Sequence, residues 1–523
     1  MHMGNISKQV DELFSEWDSK DSPGCALGVI SKGRFIYQRC YGMANLEHGV
    51  PLTPDSVFDV GSTSKQFTAA CIILLAGRGK LSLDDRIQKY LPEIPVHKHP
   101  VTIRHLLHHT SGLRDYLTLM YLRGMRFENE YADKEVYALI ARQKGLNFRP
   151  GSEHLYCNTG YLMLGEIVKR TSGLTLRQYA HKHIFAPLGM KDTHFHDDFS
   201  EIVRNRAVGH NKAKVGHKLS VSLFDVVGDG ALHTTIKDLA IWDRNFYHNR
   251  VGGAGARLIE QLATPGRLND GKPLNYACGL FTEDYRGLRT IHHGGSWIGY
   301  KAEFIRFPEQ KFSVICLANT EALDAISLAR KVADIYLADK FTVAKQKPPR
   351  TSPAELRRMT GKLGYYEDQK SGDIALVSAK SGYQIELNGA SYKLEQLTPA
   401  RLQATNGAVK MNFSGPEEFT LTRRNAQKSV YTRLPRFRMS PAQSSKLAGD
   451  YYCPELDTTY TISSTGKKLT TPITDPGEGL LDLQPIRHGL FKAGPHLTLR
   501  FNKTGRAFYL GAGRVKDLLF RRE

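Results

Sequence analysis

Ser62 and Lys65 carry the first chemistry legible in this chain. They lie in Phe58-Asp59-Val60-Gly61-Ser62-Thr63-Ser64-Lys65-Gln66-Phe67. From Phe67 on, Ala70, Cys71, Leu74 and Leu75 recur at the spacing of one apolar helical face. Ser62 therefore falls at a helix mouth, where backbone N–H groups lack partners and the dipole is positive. Lys65, one turn on, shares its face. A serine hydroxyl is a poor nucleophile until a base takes its proton, and a partly desolvated amine can take it. The helix N-terminus can then stabilise an oxyanion. The chemistry implied is acyl transfer through serine. The same spacing recurs at Ser464 and Lys467, but in a glycine-containing turn with no helix after it, and is read there as chance.

Two later stretches offer partners. Tyr156-Cys157-Asn158 opens a helical pattern whose apolar face is Tyr161, Leu164, Ile167 and Val168. Asn158 or Thr159 is expected to cap that helix, which makes Tyr156 and Asn158 loop residues rather than core. His293-Gly294-Gly295-Ser296 precedes a predicted hairpin with strands over 302–307 and 311–317. Asp229, between Gly228 and Gly230, is a catalytic candidate, but a structural role in the glycine-rich turn is the preferred reading. Five histidines between residues 97 and 109 lack a His-Glu-x-x-His pattern and have few carboxylates nearby, so capping and loop packing are expected of them and no metal.

The positioning elements follow from period and punctuation. Residues 25–30 and 34–40 read as a hairpin, and residues 323–339 as a closing helix. Strands at both ends, with most helices between, imply an α+β domain over 1–340 whose sheet is assembled from its two ends. Residues 341–350 read as a basic, proline-containing linker. Beyond it the chain is strand-rich. Ser352-Pro353-Ala354, Gly361 and Tyr365-Tyr366 are echoed by Ser440-Pro441-Ala442, Gly449 and Tyr451-Tyr452. Two related units are expected, over 351–435 and 436–523, each a small antiparallel β-barrel.

Composition bounds the rest. The 523 residues allow several domains, and no apolar run reaches the ~20 residues of a membrane span. The first 20 residues lack the basic start and apolar core of a signal peptide, which points to the cytoplasm, although Met1-His2-Met3 leaves a removed leader open. Seven scattered cysteines without a Cys-x-x-Cys pair fit reduced thiols, not a disulfide scaffold or a zinc site. Of the net charge of +20, about two-thirds of the surplus falls after residue 340, spread singly along strands. It reads as a solvated basic surface. Neither nucleic acid nor membrane is expected as a partner, no cofactor is needed, and a homodimer is allowed.

With Ser62/Lys65, Tyr156/Asn158 and His293/Gly295 in that order, the first ~340 residues resemble the serine β-lactamase and penicillin-binding family, most closely its class C β-lactamase, DD-peptidase and esterase group. The phrase Leu106-Leu107-His108-His109-Thr110-Ser111-Gly112-Leu113 supports this. A catalytic domain followed by two barrels resembles the D-aminopeptidases of that group. The resemblance implies Ser62 as acylated nucleophile, with Lys65 and Tyr156 sharing the general-base and general-acid work. It implies Asn158 binding the substrate amide, Gly295 letting the strand edge approach the acyl group, and the backbone N–H groups of Ser62 and Ser296 forming an oxyanion hole. His293 stands where many relatives have the lysine of Lys-Thr-Gly, which weakens the case for a substrate carboxylate. A literal Lys503-Thr504-Gly505 lies in a polar turn and is a decoy. The resemblance further implies release of N-terminal D-amino acids from short peptides, amides or esters, with Asp475 or Glu478 of the loop 470–479 holding the substrate ammonium. The alternatives are an esterase, a β-lactamase or a DD-carboxypeptidase of the same fold. A non-catalytic binder of cell-wall polymer or peptide is the alternative from another class.

Overall fold

A hairpin and a four-stranded meander from opposite ends of the first 340 residues build one antiparallel sheet. In the computed structural model they are β1 (Cys25–Ser31) and β2 (Arg34–Tyr41), and, far downstream, β3 (Phe281–Tyr285), β4 (Leu288–Trp297), β5 (Tyr300–Phe307) and β6 (Phe312–Ala318). The order is β3-β4-β5-β6-β1-β2, and the two ends join where Cys25 pairs with Ala318 and Ser31 with Phe312. The structure describes residues 3–126, 129–131, 133–251, 257–342, 363–370, 372–379, 382–387, 390–398, 400–404, 408–423, 428–435, 437–466, 468–472, 480–494 and 497–523. The expected linker thus lies, from residue 343 on, outside the described residues.

Side-chain alternation assigns the sheet's faces. Leu27, Val29, Val314 and Cys316 meet Val10 and Phe14 of helix α1 (Met3–Phe14) on one side, with Leu328 and Val332 of the helix Ala325–Tyr336. Ala26, Ile30, Phe304 and Ile315 face a larger core built around α2 (Lys65–Gly77) and α3 (Asn158–Ser172). The spacing in α2 predicts one apolar face, yet every residue from Lys65 to Leu75 is buried. A helix apolar on nearly all sides belongs inside, and α2 is the central strut of the domain. The closing helix is shorter than expected, Ala325–Tyr336, because Asp324 caps it through the Ser327 N–H at 3.1 Å.

Past the linker stand two closed eight-stranded antiparallel barrels. The first runs from Gly364–Asp368 to Lys428–Arg433, the second from Gly449–Cys453 to Val515–Arg522. Their repeat pairs Gly364 with Gly449, at φ +146° and +145°, and Tyr366 with Tyr451, both fully buried. The structural repeat thus aligns Gly364 with Gly449, while Gly361 and Ser352-Pro353-Ala354 lie outside the described residues. The barrels differ in attachment. The first has its own core around Tyr366, Phe419 and Tyr431, whereas the second shares one continuous apolar cluster with the catalytic domain. Tyr460 of the second barrel donates to the Leu122 carbonyl at 2.7 Å, and Arg114 meets Glu455 at 2.6 Å. Among the described residues no helix is long and apolar enough to cross a membrane.

Candidate active site

Ser62 sits in a 3-10 turn, Gly61–Ser64, that feeds directly into α2. Three contacts fix the turn. The Asp59 carboxylate accepts the Gly61 N–H at 2.7 Å, Thr63 Oγ1 donates to the His293 carbonyl at 3.0 Å, and Ser64 Oγ accepts the Leu232 N–H at 3.1 Å. β4 is pressed hard against this turn. A Cβ at Gly295 would come within 1.9 Å of the Val60 carbonyl oxygen, and one at Gly61 within 2.7 Å of the Ser296 nitrogen. Only glycine fits on both sides of that approach. The close neighbour of Gly295 is thus the turn that carries Ser62, which places the Ser296 backbone nitrogen beside it. The Ser296 side chain is exposed, and its hydroxyl accepts from Lys301 Nζ at 2.6 Å.

Lys65 is fully buried and makes three short contacts: Ser62 Oγ at 2.9 Å, Asn158 Oδ1 at 3.0 Å and the Asp229 carbonyl oxygen at 2.5 Å. Three acceptors match the three N–H donors of an ammonium group. The rings of Tyr156 and Tyr161 lie 5.0 and 5.6 Å from Nζ. Tyr156 itself rests on the His109 ring, 4.1 Å between centroids.

The expected cap on α3 is not formed by Asn158 or Thr159. The N-cap position is Cys157, without a side-chain cap bond. Asp115 takes that role from another loop, its carboxylate accepting the Asn158 N–H at 2.7 Å. Asn158 is therefore buried with its amide oxygen free to turn to Lys65, and Thr159, also buried, donates to the Arg114 carbonyl at 2.7 Å. Both are interior residues, so the loop reading fails for Asn158, whereas Tyr156 stands half-buried in the loop before α3 as expected.

Asp229 belongs to the site rather than merely to a turn. Its carbonyl holds Lys65, and its carboxyl lies 3.1 Å from the Tyr116 hydroxyl. Burial pushes that carboxyl up to about 6, with Lys65 opposing the shift. The glycines on either side were the available signal, because a chain that turns this tightly can aim a carbonyl inward.

His293 is uncharged. Desolvation, then the neighbouring Lys65, pushes its imidazole down to about 3. Its Nδ1 faces the Gly294 carbonyl at 2.6 Å, and a carbonyl can only accept, so Nδ1 carries the proton. Nε2 then accepts from Tyr276 at 3.1 Å and faces the Tyr156 hydroxyl at 3.5 Å. Tyr276, fully buried, had no sequence signal.

Ser62, Tyr156, Asn158 and Asp229 open onto a cleft of about 760 Å³. Asp475 and Glu478 lie outside the described residues. The second barrel nonetheless reaches the cleft by another route: Arg514 lines it, from the turn between the last two strands. One His/Glu cluster elsewhere has metal-like proximity, with ligand atoms of His194, His196 and Glu201 within 4.8 Å of one another. Glu201 is already paired with Arg177 through contacts of 2.6 and 2.7 Å, so a cation there would face that guanidinium.

The beta-lactamase family profile matches residues 10–337. The chain belongs to the beta-lactamase family. It is 30% identical over 338 residues to penicillin-binding protein 4* of Bacillus subtilis (strain 168), covering 61% of this chain and 72% of that protein. It is 26% identical over 449 residues to a D-aminopeptidase of Brucella anthropi, covering 85% and 81%. Among solved structures, the octameric penicillin-binding protein homologue from Pyrococcus abyssi superposes with TM-score 0.59 at 24% identity, over 83% of this chain and all of that one. The D-amino acid amidase from Ochrobactrum anthropi SV3 gives 0.54 at 23%, over 64% and 99%. This beta-lactamase-family chain is a serine hydrolase of that fold, with two barrels appended.

Proposed function

We propose that the protein hydrolyses short peptides, amides or esters through an acyl-Ser62 intermediate, releasing an N-terminal residue of D configuration. The observation that carries this is Ser62 Oγ at 2.9 Å from a fully buried Lys65, at the floor of a cleft also lined by Tyr156 and Asn158. Ser62 Oγ attacks the carbonyl carbon, its proton passing to the Lys65/Tyr156 pair. The oxyanion is met by the Ser62 and Ser296 N–H groups. The C–N bond breaks as Tyr156 and Lys65 deliver that proton to the leaving amine. Water then cleaves the ester, restoring Ser62 and freeing the acid. Lys65 has three acceptors in the resting geometry, so it gives one proton to solvent in the open cleft before attack, and its neutral amine, still held by Asn158 and the Asp229 carbonyl, then takes the Ser62 proton. Tyr156, beside it, is the partner that shares this work. Asn158 orients the substrate amide, and Asp475 or Glu478 holds the substrate ammonium.

Support for the D-aminopeptidase reading comes from relatives of that name whose matches cover 85% and 83% of this chain, more than residues 1–340 alone occupy. The test is hydrolysis of D-alanine p-nitroanilide against its L-isomer, with Ser62→Ala as control. A D preference lost in the variant is expected. No turnover of either isomer overturns the aminopeptidase reading and moves the substrate to esters and β-lactams. If Asp475→Asn with Glu478→Gln leaves KM for an aminoacyl amide unchanged, the ammonium assignment falls.

A further inference from the structure

We propose that Arg514, supplied by the second barrel, is the carboxylate anchor of the catalytic cleft, and that the preferred substrates carry a free carboxylate on the leaving group. The inference rests on the acyl-serine reading above and names the substrate class of that same site.

Its guanidinium carbon lies 4.8 Å from the centroid of the Tyr156 ring, and Arg514 lines the catalytic cleft. Its side chain is 41% exposed, open to that cleft. Its one ion-pair contact to a described carboxylate is loose, 3.6 Å to Asp115, and Asp115 is buried and already accepts the Asn158 N–H at 2.7 Å. A guanidinium has five N–H donors in a fixed fork that matches a carboxylate, so most of that capacity is open to a ligand.

The position is built rather than accidental. The Arg514 carbonyl accepts from Asn147 Nδ2 at 2.9 Å, and Asn147 Oδ1 accepts the Lys516 N–H at 2.7 Å. Arg114 donates to the Lys516 and Asp517 carbonyls, each at 3.1 Å. With the Asp115 N–H, which also donates to the Arg514 carbonyl at 3.4 Å, five hydrogen bonds from the catalytic domain hold this backbone, and none uses the Arg514 side chain.

The side of the cleft fixes what Arg514 reads. Tyr156 hands its proton to the leaving group, so a group departing past Tyr156 passes Arg514. His293, on the same side, is buried and neutral and cannot pair with an anion. The positive charge that the site lacks at residue 293 is thereby provided from the other end of the chain. A dipeptide, whose leaving amino acid bears a carboxylate close to the scissile nitrogen, satisfies Arg514, whereas a simple amide leaves it unused.

The experiment compares D-Ala-Gly with D-alaninamide in the wild type and in Arg514→Gln and Arg514→Lys. Loss of the fork is expected to lower kcat/KM for the dipeptide about 10- to 100-fold, mainly through KM, with the amide changed less than about threefold. The lysine variant should recover part of the loss. An equal fall on both substrates, or none, overturns the proposal. A second arm needs no turnover: calorimetric binding of D-Ala-Gly and of D-Ala-glycinamide to Ser62→Ala. Tighter binding of the acid, abolished by adding Arg514→Gln, upholds the anchor even if the wild type hydrolyses neither substrate, an outcome that would count against the aminopeptidase reading alone. No preference for the acid overturns the anchor.

Discussion

The Nζ of Lys65 and the carbonyl oxygen of Asp229 lie 2.5 Å apart, so the amine beside Ser62 is held by backbone, not by a carboxylate side chain. What residue 229 contributes to Lys65 is therefore largely independent of its side chain. Asp229→Asn should keep the amine in place and cost less than about tenfold in kcat/KM, whereas Lys65→Ala should cost on the order of 10³-fold. Equal losses in steady-state kinetics would show that the carboxylate, not the carbonyl, matters.

The Asp229 carboxyl makes a separate prediction about stability. Its folded value is raised from 3.8 to about 6 by burial. The folded state therefore holds its proton more tightly than the unfolded chain. The stability it contributes is present below pH 3.8 and is lost as pH rises through 6, about 3 kcal/mol in order of magnitude. Asp229→Asn should accordingly raise the denaturation midpoint at pH 8 and leave it unchanged at pH 3.5. Any limb in the rate profile near pH 6 should vanish in the same variant.

Histidines work in the opposite sense. Desolvation pushes His293 down to about 3, and His108 and His154 down to about 4. Each stays neutral in the fold while the unfolded chain takes up a proton near pH 6.5. Each therefore withdraws up to about 1.4 kcal/mol of stability per pH unit as pH falls from 6.5 toward 4. Asp59 and Asp229, raised to about 6, and Asp133, Asp225, Asp238 and Asp243, also raised, oppose this, but eleven described histidines in all are lowered, His196 to about 4 among them. Thermal melts between pH 7 and 4.5 should show a falling midpoint, and His293→Gln should make the fall shallower.

Gly295 tests how closely β4 and the Ser62 turn must approach. A Cβ there meets a backbone oxygen at 1.9 Å, and backbone on both sides cannot yield as a flexible side chain would. Gly295→Ala should push the Ser296 nitrogen away from Ser62 and cost on the order of 10²-fold in kcat, the usual scale of a lost oxyanion donor. Acylation of Ser62 followed by mass spectrometry would locate the defect in the chemical step.

Much of the fold is readable because it rests on local pattern. Alternation marked both hairpins, and turn residues marked the barrels. Ser62 and Lys65 are legible because three residues along one helix place them together. The site's remaining parts are not local. Asp229 acts through a carbonyl, which any residue type possesses. The capping of Asn158 fails from sequence because Asp115, on another loop, makes the better bond and releases the amide. Arg514 approaches Tyr156 only because a barrel at the far end of the chain docks beside it, and a solvated arginine in a turn has no distinguishing pattern.

That docking is itself open to test at Glu455. Its carboxylate accepts from Arg114 Nη1 at 2.6 Å and from the Lys144 N–H at 2.8 Å, and the Arg114 side chain is only 3% exposed. Arg114 also holds the Lys516 and Asp517 carbonyls, next to Arg514. Removing the carboxylate takes the counter-charge from a buried guanidinium that keeps only the neutral acceptors of Gln143, Lys516 and Asp517, and with Glu455 16% exposed the cost lies below the about 3–5 kcal/mol of a fully enclosed pair. Glu455→Ala should therefore loosen the Arg514 turn as well as lower the denaturation midpoint. Hydrolysis of D-Ala-Gly should fall further than that of D-alaninamide, while Glu455→Gln, which keeps an acceptor, should fall between. A variant that loses stability but keeps the wild-type ratio between the two substrates would show that the turn is held without Arg114, and that barrel docking and carboxylate selection are separate properties.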